Sequence, residues 1–385
     1  MNKKIFSMAA IAALTMAGMT SCSDDTIENG TDAKSPKALS FAVQQNNSIA
    51  TRGLGTTSLN FLDQITDFQV VGFYSDGSGR YVGSADNIGT IIDGDGAGNW
   101  NYHVPTQVQY WPAGNIDFQA ITPAADDSFT LTNVPEAGSS RLAANVTIPA
   151  EVANQKDIMF ASATDVNNAA TGEAVGLTFK HALTQVLFAG KVASDNITAT
   201  VNEIEICNVH NTGNVGFLAS KDALSAVATG DAKASFKAGL LAAAADRTMA
   251  STDKKNLTAA NGALMMIPQE QTAWTHAGAE KAIADATGAY IRISCKVQDK
   301  TSKTWLIGAN EGNGEFENVY IPFDMSAANS KAWEMGKKYT YTIVFGNGSN
   351  SYNENGDDLK NLVPISYTVD AAEDWTEATA NDVEF

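Results

Sequence analysis

Apolar and polar residues alternate along most of this chain in short runs, each soon broken by Gly, Asn, Asp or Pro. A period of two sends successive side chains to opposite faces, so such runs predict half-buried β-strands. "LSFAV" places Leu39, Phe41 and Val43 on one face, and "DFQVVGFYSDGSGRYVG" predicts two strands around the turn "SDGSG". "NIDFQAITP", "KHALTQVLFAGKV", "NEIEICNV", "AYIRISCKV", "KYTYTIVFG" and "PISYTVD" continue the series. The pattern is cleanest in "YTYTIVF", where Tyr339, Tyr341, Ile343 and Phe345 face one way while Thr340 and Thr342 face the other. Many short strands at this spacing predict an all-β protein of sandwiched antiparallel sheets. Two stretches depart from the pattern. Residues 218–250, with the Ala-rich "KASFKAGLLAAAADRTMA", suit a helix or a long insertion, and "THAGAEKAIADATGAY" suits a short helical turn. Neither carries strong helix caps.

The amino terminus has a different character. Lys3 and Lys4 precede the apolar run "IFSMAAIAALTMAGM". That run is rich in small residues and falls short of the roughly 20 strongly apolar residues of a transmembrane helix, so residues 1–21 read as an export signal. The run stops at "TSC", and a small residue before Cys22 fits cleavage and lipidation there, as in bacterial lipoprotein precursors. Met19 and Ser21 stand where Leu and Gly or Ala are commoner, a latitude seen in lipoproteins of Bacteroidetes. Ser23, Asp24 and Asp25 resemble the acidic signal that sends such lipoproteins to the outer face of the outer membrane. A lipid on Cys22 anchors the chain without making it span the membrane. Polar residues 22–37 then read as a tether.

Removing 21 of the 385 residues leaves 364, enough for two ordinary domains. The polar link "ATDVNNAATGEAV" suggests a boundary near residue 170, giving domains at 38–170 and 171–385. Loss of Lys3 and Lys4 takes the basic residues from 25 to 23 against 43 acidic ones, a net charge near −20. That charge excludes nucleic acid as a partner, because Lys and Arg contacts to phosphate supply most of such binding.

Candidate chemistry is sparse. His103, His181, His210 and His276 are scattered without metal-ligand spacing, and no nucleophile-elbow, zinc-protease or phosphate-loop motif appears. "DGDGAGN" has oxygen ligands at alternate positions but reaches Val104 where a calcium loop needs Glu, so it reads as a hairpin turn. The tryptophans, Trp111 among them, read as packing residues in a β-rich chain. Cys295 shares a strand face with Ile291, Ile293 and Val297, whereas Cys207 lies opposite the face of Ile204 and Ile206. The sequence leaves a disulfide between them open, with two unlinked structural cysteines as the default. These observations predict no enzyme, no cofactor and no metal.

Several segments together resemble the fimbrillin family, the lipoprotein pilins of Bacteroidia that build type V pili. They are "YWPAGNIDFQAITP", "DIMFA", "LTFKHALTQVLF", "LMMIPQ", "WEMGKKYTYTIVF" and "ISYTVDAAEDW", in that order from residue 110 to 375. The resemblance implies two tandem transthyretin-like β-sandwich domains. It also implies a precursor cut after an arginine in the link that follows the first strand, a position matched here by Arg52–Gly53. The cut releases the strand carrying Leu39, Phe41 and Val43, and a neighbouring subunit's strand fills the vacated groove. In the family that donor lies toward the C-terminus. Here "TANDVEF" offers Val383 and Phe385, while the longer "PISYTVD", with Ile365, Tyr367 and Val369, also suits an integral strand. The implied partners are other pilin subunits, the outer membrane through the lipid on Cys22, and a host or glycan ligand. Stalk, tip and anchor roles stay open, since an anchor keeps its first strand and leaves Arg52 uncut. A monomeric surface lipoprotein binding glycan or host ligands is the competing class.

Overall fold

Strands form where the alternation predicts them. The computed structural model describes residues 36–44, 65–83, 89–124, 129–136, 139–308, 314–326, 331–348, 351–359 and 363–374, all within one compact unit. The first strands are β1 (Phe41–Val43), β2 (Asp67–Tyr74), β3 (Arg80–Val82), β4 (Thr90–Gly94), β5 (Trp100–Tyr102), β6 (Ile116–Thr122), β7 (Phe129–Glu136), β8 (Ser139–Thr147) and β9 (Met159–Val166). Next come β10 (Val175–Leu177), β11 (Lys180–His181), β12 (Thr184–Val192), β13 (Ile197–His210), β14 (Thr212–Gly216), β15 (Ser225–Ala228), β16 (Lys233–Lys237), β17 (Thr248–Met249) and β18 (Lys255–Asn256). The last are β19 (Leu264–Met266), β20 (Gln269–Glu270), β21 (Tyr290–Asp299), β22 (Trp305–Ile307), β23 (Glu317–Pro322), β24 (Ala332–Trp333), β25 (Lys337–Phe345), β26 (Ile365–Val369) and β27 (Glu373–Asp374). The described residues include four single 3-10 turns, two of them at Gly278–Glu280 and Ile283–Asp285, inside the stretch expected to turn.

The amino-terminal part is layered around one sheet, ordered β11-β9-β6-β2-β4-β5 with β3 on β2. Both faces of its central strands β2 and β6 are buried, and the period of two divides the labour. Phe68, Val70, Phe118 and Ala120 belong to one apolar cluster with β1, β10 and Trp111. Val71, Phe73 and Ile121 belong to the other, with Leu142, Ala144 and Val146 of β8. The sheet β15-β14-β8-β7 supplies that second layer. A buried polar clamp reinforces the contact. Gln119 accepts from the Leu142 amide at 2.6 Å and donates to the Lys221 carbonyl at 3.0 Å, while Lys221 Nζ lies 2.7 Å from Asp117.

The carboxy-terminal part is a two-layer sandwich. One sheet orders β18-β12-β25-β26 and the other β16-β13-β21-β22, with β19, β27, β17 and β23 extending them. Phe188, Tyr339, Tyr341, Ile343 and Phe345 of the first sheet meet Val201, Ile204, Ile206, Ile291, Ile293 and Cys295 of the second. Past residue 170, β10 and β11 pair with β1 and β9, and β14 pairs with β8.

The all-β sandwich expectation holds, with two amendments. The sheets are not purely antiparallel, since β12 runs parallel to β25 and β1 parallel to β10. Both pairs join distant parts of the chain, which gives the connections length to cross over. Residues 218–250 form no α-helix: they make β15, β16 and β17, and β16 lays Phe236 opposite Ile206 of β13. Tertiary pairing there overrides the helix propensity of alanine. The "DGDGAGN" hairpin joins β4 to β5, and the Asp95 carboxylate accepts from the amides of Ala97 and Asn99. "PISYTVD" is an integral strand, β26, antiparallel to β25 with Ile365 buried.

Cys207 and Cys295 are both free and buried. Cys207 lies on the face away from Ile204 and Ile206, near an aromatic group of Trp274, Tyr290, Tyr320 and Tyr352 that covers that side of the sheet. Burial pushes its thiol up to about 12 and raises that of Cys295 as well. Thiolate is the reactive form. Neither Cys207 nor Cys295 should therefore react with a disulfide reagent at pH 8 in the native protein, and both should react in denaturant. Mass spectrometry of alkylated peptides checks this.

Candidate functional site

Residues 37–44 form one extended segment held from two sides. The Leu39 amide donates to the Gln109 carbonyl at 2.7 Å, and the Trp111 amide donates to the Lys37 carbonyl at 2.9 Å. From the other side the Val175 amide donates to the Ser40 carbonyl at 2.8 Å, and the Gln44 amide donates to the Leu177 carbonyl at 2.8 Å. Odd residues thus bond to segment 109–111 and even residues to β10, the two edges of a strand. Phe41 stands opposite Val175 and Val43 opposite Leu177. Approach to β10 is close: a Cβ on Gly176 would lie 2.2 Å from the Gln44 side chain.

The side chains follow the same period. Leu39 is 1% exposed and Phe41 4%, while Val43 is half-buried against the same cluster. The Phe41 ring sits edge-on to Phe68 and Phe118, with centroids at 6.0 and 5.6 Å. Trp111 packs edge-on to Phe118 from the flank. Tyr102 Oη donates to the Leu39 carbonyl at 3.0 Å, and burial pushes this hydroxyl up to about 12, so it stays a neutral donor at physiological pH. The segment therefore lies in a slot with an aromatic floor and walls of backbone polar groups. Such a slot holds an extended strand of any source with apolar residues at alternate positions.

The structure brings Leu39, Phe41 and Val43 to this slot. Cys22, Arg52, Gly53, Val383 and Phe385 lie outside the described residues. Sequence reasoning missed the walls. "VQYW" and "AVGLTF" carried the signal, since Gln109 and Trp111 alternate with Val108 and Tyr110, and Val175, Leu177 and Phe179 share one face. Trp111 packs as expected; so do Trp274 and Trp333, which are buried. Among the described residues no group of three or more His, Cys, Asp or Glu is placed to hold a metal, and no helix is long and apolar enough to cross a membrane.

A fimbrillin-like family model matches residues 51–371, most of the chain. The chain belongs to the fimbrillin-like family. A fimbrial protein from Bacteroides vulgatus ATCC 8482 shares its fold at TM-score 0.54 and 14% identity, over 88% of this chain and 100% of that one. The fimbrial anchor protein Mfa2 from Porphyromonas gingivalis aligns over 81% of this chain and 91% of that one, at TM-score 0.34 and 9% identity. No curated protein matches the chain. Family membership supports a pilus or adhesion subunit on a cell-surface appendage, and points to a structural part rather than an enzyme.

Phe41→Ala should lower the stability of the full-length fimbrillin by about 3 kcal/mol, the loss expected for a buried phenylalanine. The shift in the urea midpoint at constant slope measures it.

Proposed function

We propose that this fimbrillin is a pilus subunit exported as a lipoprotein precursor, lipidated on Cys22, cut between Arg52 and Gly53, and polymerised by strand exchange. The observation that supports this reading is the slot around residues 37–44. The strand in it is short, is buried along one face, and is joined to the described residue on its far side, Ile65, through the segment that contains Arg52. Leaving the slot exposes Leu39 and Phe41, each contributing roughly 1.5–3 kcal/mol of burial, and strips partners from the backbone groups of segment 109–111 and of β10 that line it. An empty slot is therefore a strong acceptor for another extended strand. In this reading the lipid holds the precursor at the outer membrane, and Val383 and Phe385 belong to the strand that a sister subunit donates. The domains are taken as 38–170 and 171–385, with β10, β11, β14 and β15 lending strands back to the first.

An arginine-specific protease tests the processing step on the purified full chain. Cleavage should convert it to a product beginning at Gly53 that forms concentration-dependent oligomers on size exclusion. Arg52→Ala should fold with an unchanged melting temperature, resist that cut and stay monomeric. Oligomers of the uncut Arg52→Ala protein equal to those of the cut wild type would overturn the proposal.

A further inference from the structure

The slot is chemically mismatched to the strand that fills it. Gln109 Oε1 and Trp111 Nε1 are buried in its wall, and neither finds a hydrogen-bond partner among the described residues. Trp111 is only 6% exposed, so solvent does not serve its N–H. Ala38 pairs antiparallel with Tyr110, which makes Leu39 the cross-strand neighbour of Gln109 and Lys37 that of Trp111. Leucine has no donor for an amide oxygen. Lysine has donors only, so it cannot accept from an indole N–H. Orphaned buried polar atoms are costly and call for an explanation.

We infer that Gln109 and Trp111 are specificity determinants, which make the slot prefer the carboxy-terminal strand of a second copy over its own β1. The inference rests on the strand-exchange reading above. Residues 375–385 lie outside the described residues, and these eleven follow β27 with an extended reach of about 36 Å. Their sequence supplies what β1 lacks. Run in the direction of β1, with Thr379 at the place of Lys37, residues 379–385 put Asn381 at Leu39, Val383 at Phe41 and Phe385 at Val43. Asn381 then offers an N–H to Gln109 Oε1, and the Thr379 hydroxyl accepts from Trp111 Nε1–H. Val383 and Phe385 refill the aromatic floor with the same two kinds of bulk in reversed order. Ala380 falls where Ala38 now pairs with Tyr110, so the outer edge of the register keeps its small residue. Val108 and Tyr110, exposed at 38% and 49% on that wall, give the rest of the second copy an apolar border to cover.

The test is a double-mutant cycle on the full chain after arginine-specific cleavage, with association followed by size exclusion over a concentration series. Gln109→Leu and Asn381→Leu should each weaken association about three- to tenfold, the range of one buried hydrogen bond. The double variant should regain most of that loss, because leucine then meets leucine. Trp111→Phe with Thr379→Val forms a second cycle with the same expectation. Melting of the uncut proteins is the control: Gln109→Leu should not lower it, since the substituted side chain is apolar and packs on Leu39. Single variants that associate like wild type, or doubles that lose the sum of the singles, overturn the inference while leaving strand exchange intact. A compact monomer at every concentration, with its tail protected from carboxypeptidase, shows the tail seated in its own chain and overturns the second-copy assignment. Failure of the cut wild type to associate at all, with its tail open to carboxypeptidase, sinks the strand-exchange reading, and this inference with it.

Discussion

Backbone amides and carbonyls facing a buried slot have to be paired, and the rest of the amino-terminal layer is arranged around that requirement. The Trp111 and Val175 amides and the Gln109 and Leu177 carbonyls all point at residues 37–44. Beneath them lies an aromatic floor of Phe68, Phe118 and Tyr102. Losing the strand would strip partners from the walls and uncover the floor together, two costs that water only partly offsets. The slot is therefore stable only when occupied. A change of occupant is a competition between strands, not the opening of a cavity.

Covalent attachment biases that competition. While residues 37–44 are joined to the chain, their effective concentration at the slot is millimolar or higher, and a strand on another molecule must compete against it. In the proposed processing, a cut between Arg52 and Gly53 would remove the tether without itself altering the contacts described in the slot. Proteolysis at that position would thus act on entropy and not on packing. The architecture confines the consequence. β2, β6 and β9 send alternate residues into two apolar clusters, with Phe68 and Val70 on the slot side and Val71 and Phe73 on the other. Exchange at the slot, as proposed, would therefore leave the larger cluster, which carries the carboxy-terminal sandwich, untouched.

Most of the strands were legible because their alternation is local. "YTYTIVF" became β25, and the "SDGSG" and "DGDGAGN" turns became hairpins, because each signal sits within a few residues of what it determines. Leu39 and Phe41 were legible as a buried face for the same reason. What sequence could not give was pairing across distance. Nothing near residue 41 names Val175 as its parallel neighbour, and nothing near residue 39 names Gln109. The Ala-rich 218–250 stretch misled because propensity is a weak prior, and β13 was long enough to recruit Lys233–Lys237 as an edge strand. The mismatch at Gln109 and Trp111 was invisible for a related reason, since an orphaned atom is defined by what fails to stand next to it.

Charge favours a strand as the joint in the proposed assembly. With 43 acidic residues against 25 basic ones, two copies repel at long range. Surface ion pairs are weak and easily screened, so they make a poor counterweight. A strand seated in a slot binds through neutral backbone hydrogen bonds and buried apolar groups. These act only at contact and do not depend on opposite charge. In the register proposed above, the carboxy-terminal candidate fits that division: Thr379, Asn381, Val383 and Phe385 have uncharged side chains and alternate with Asp382 and Glu384. In that register the same alternation that predicts a strand would keep the acidic side chains out of the slot, so that repulsion between bodies and adhesion within the joint would fall to opposite faces of one short segment.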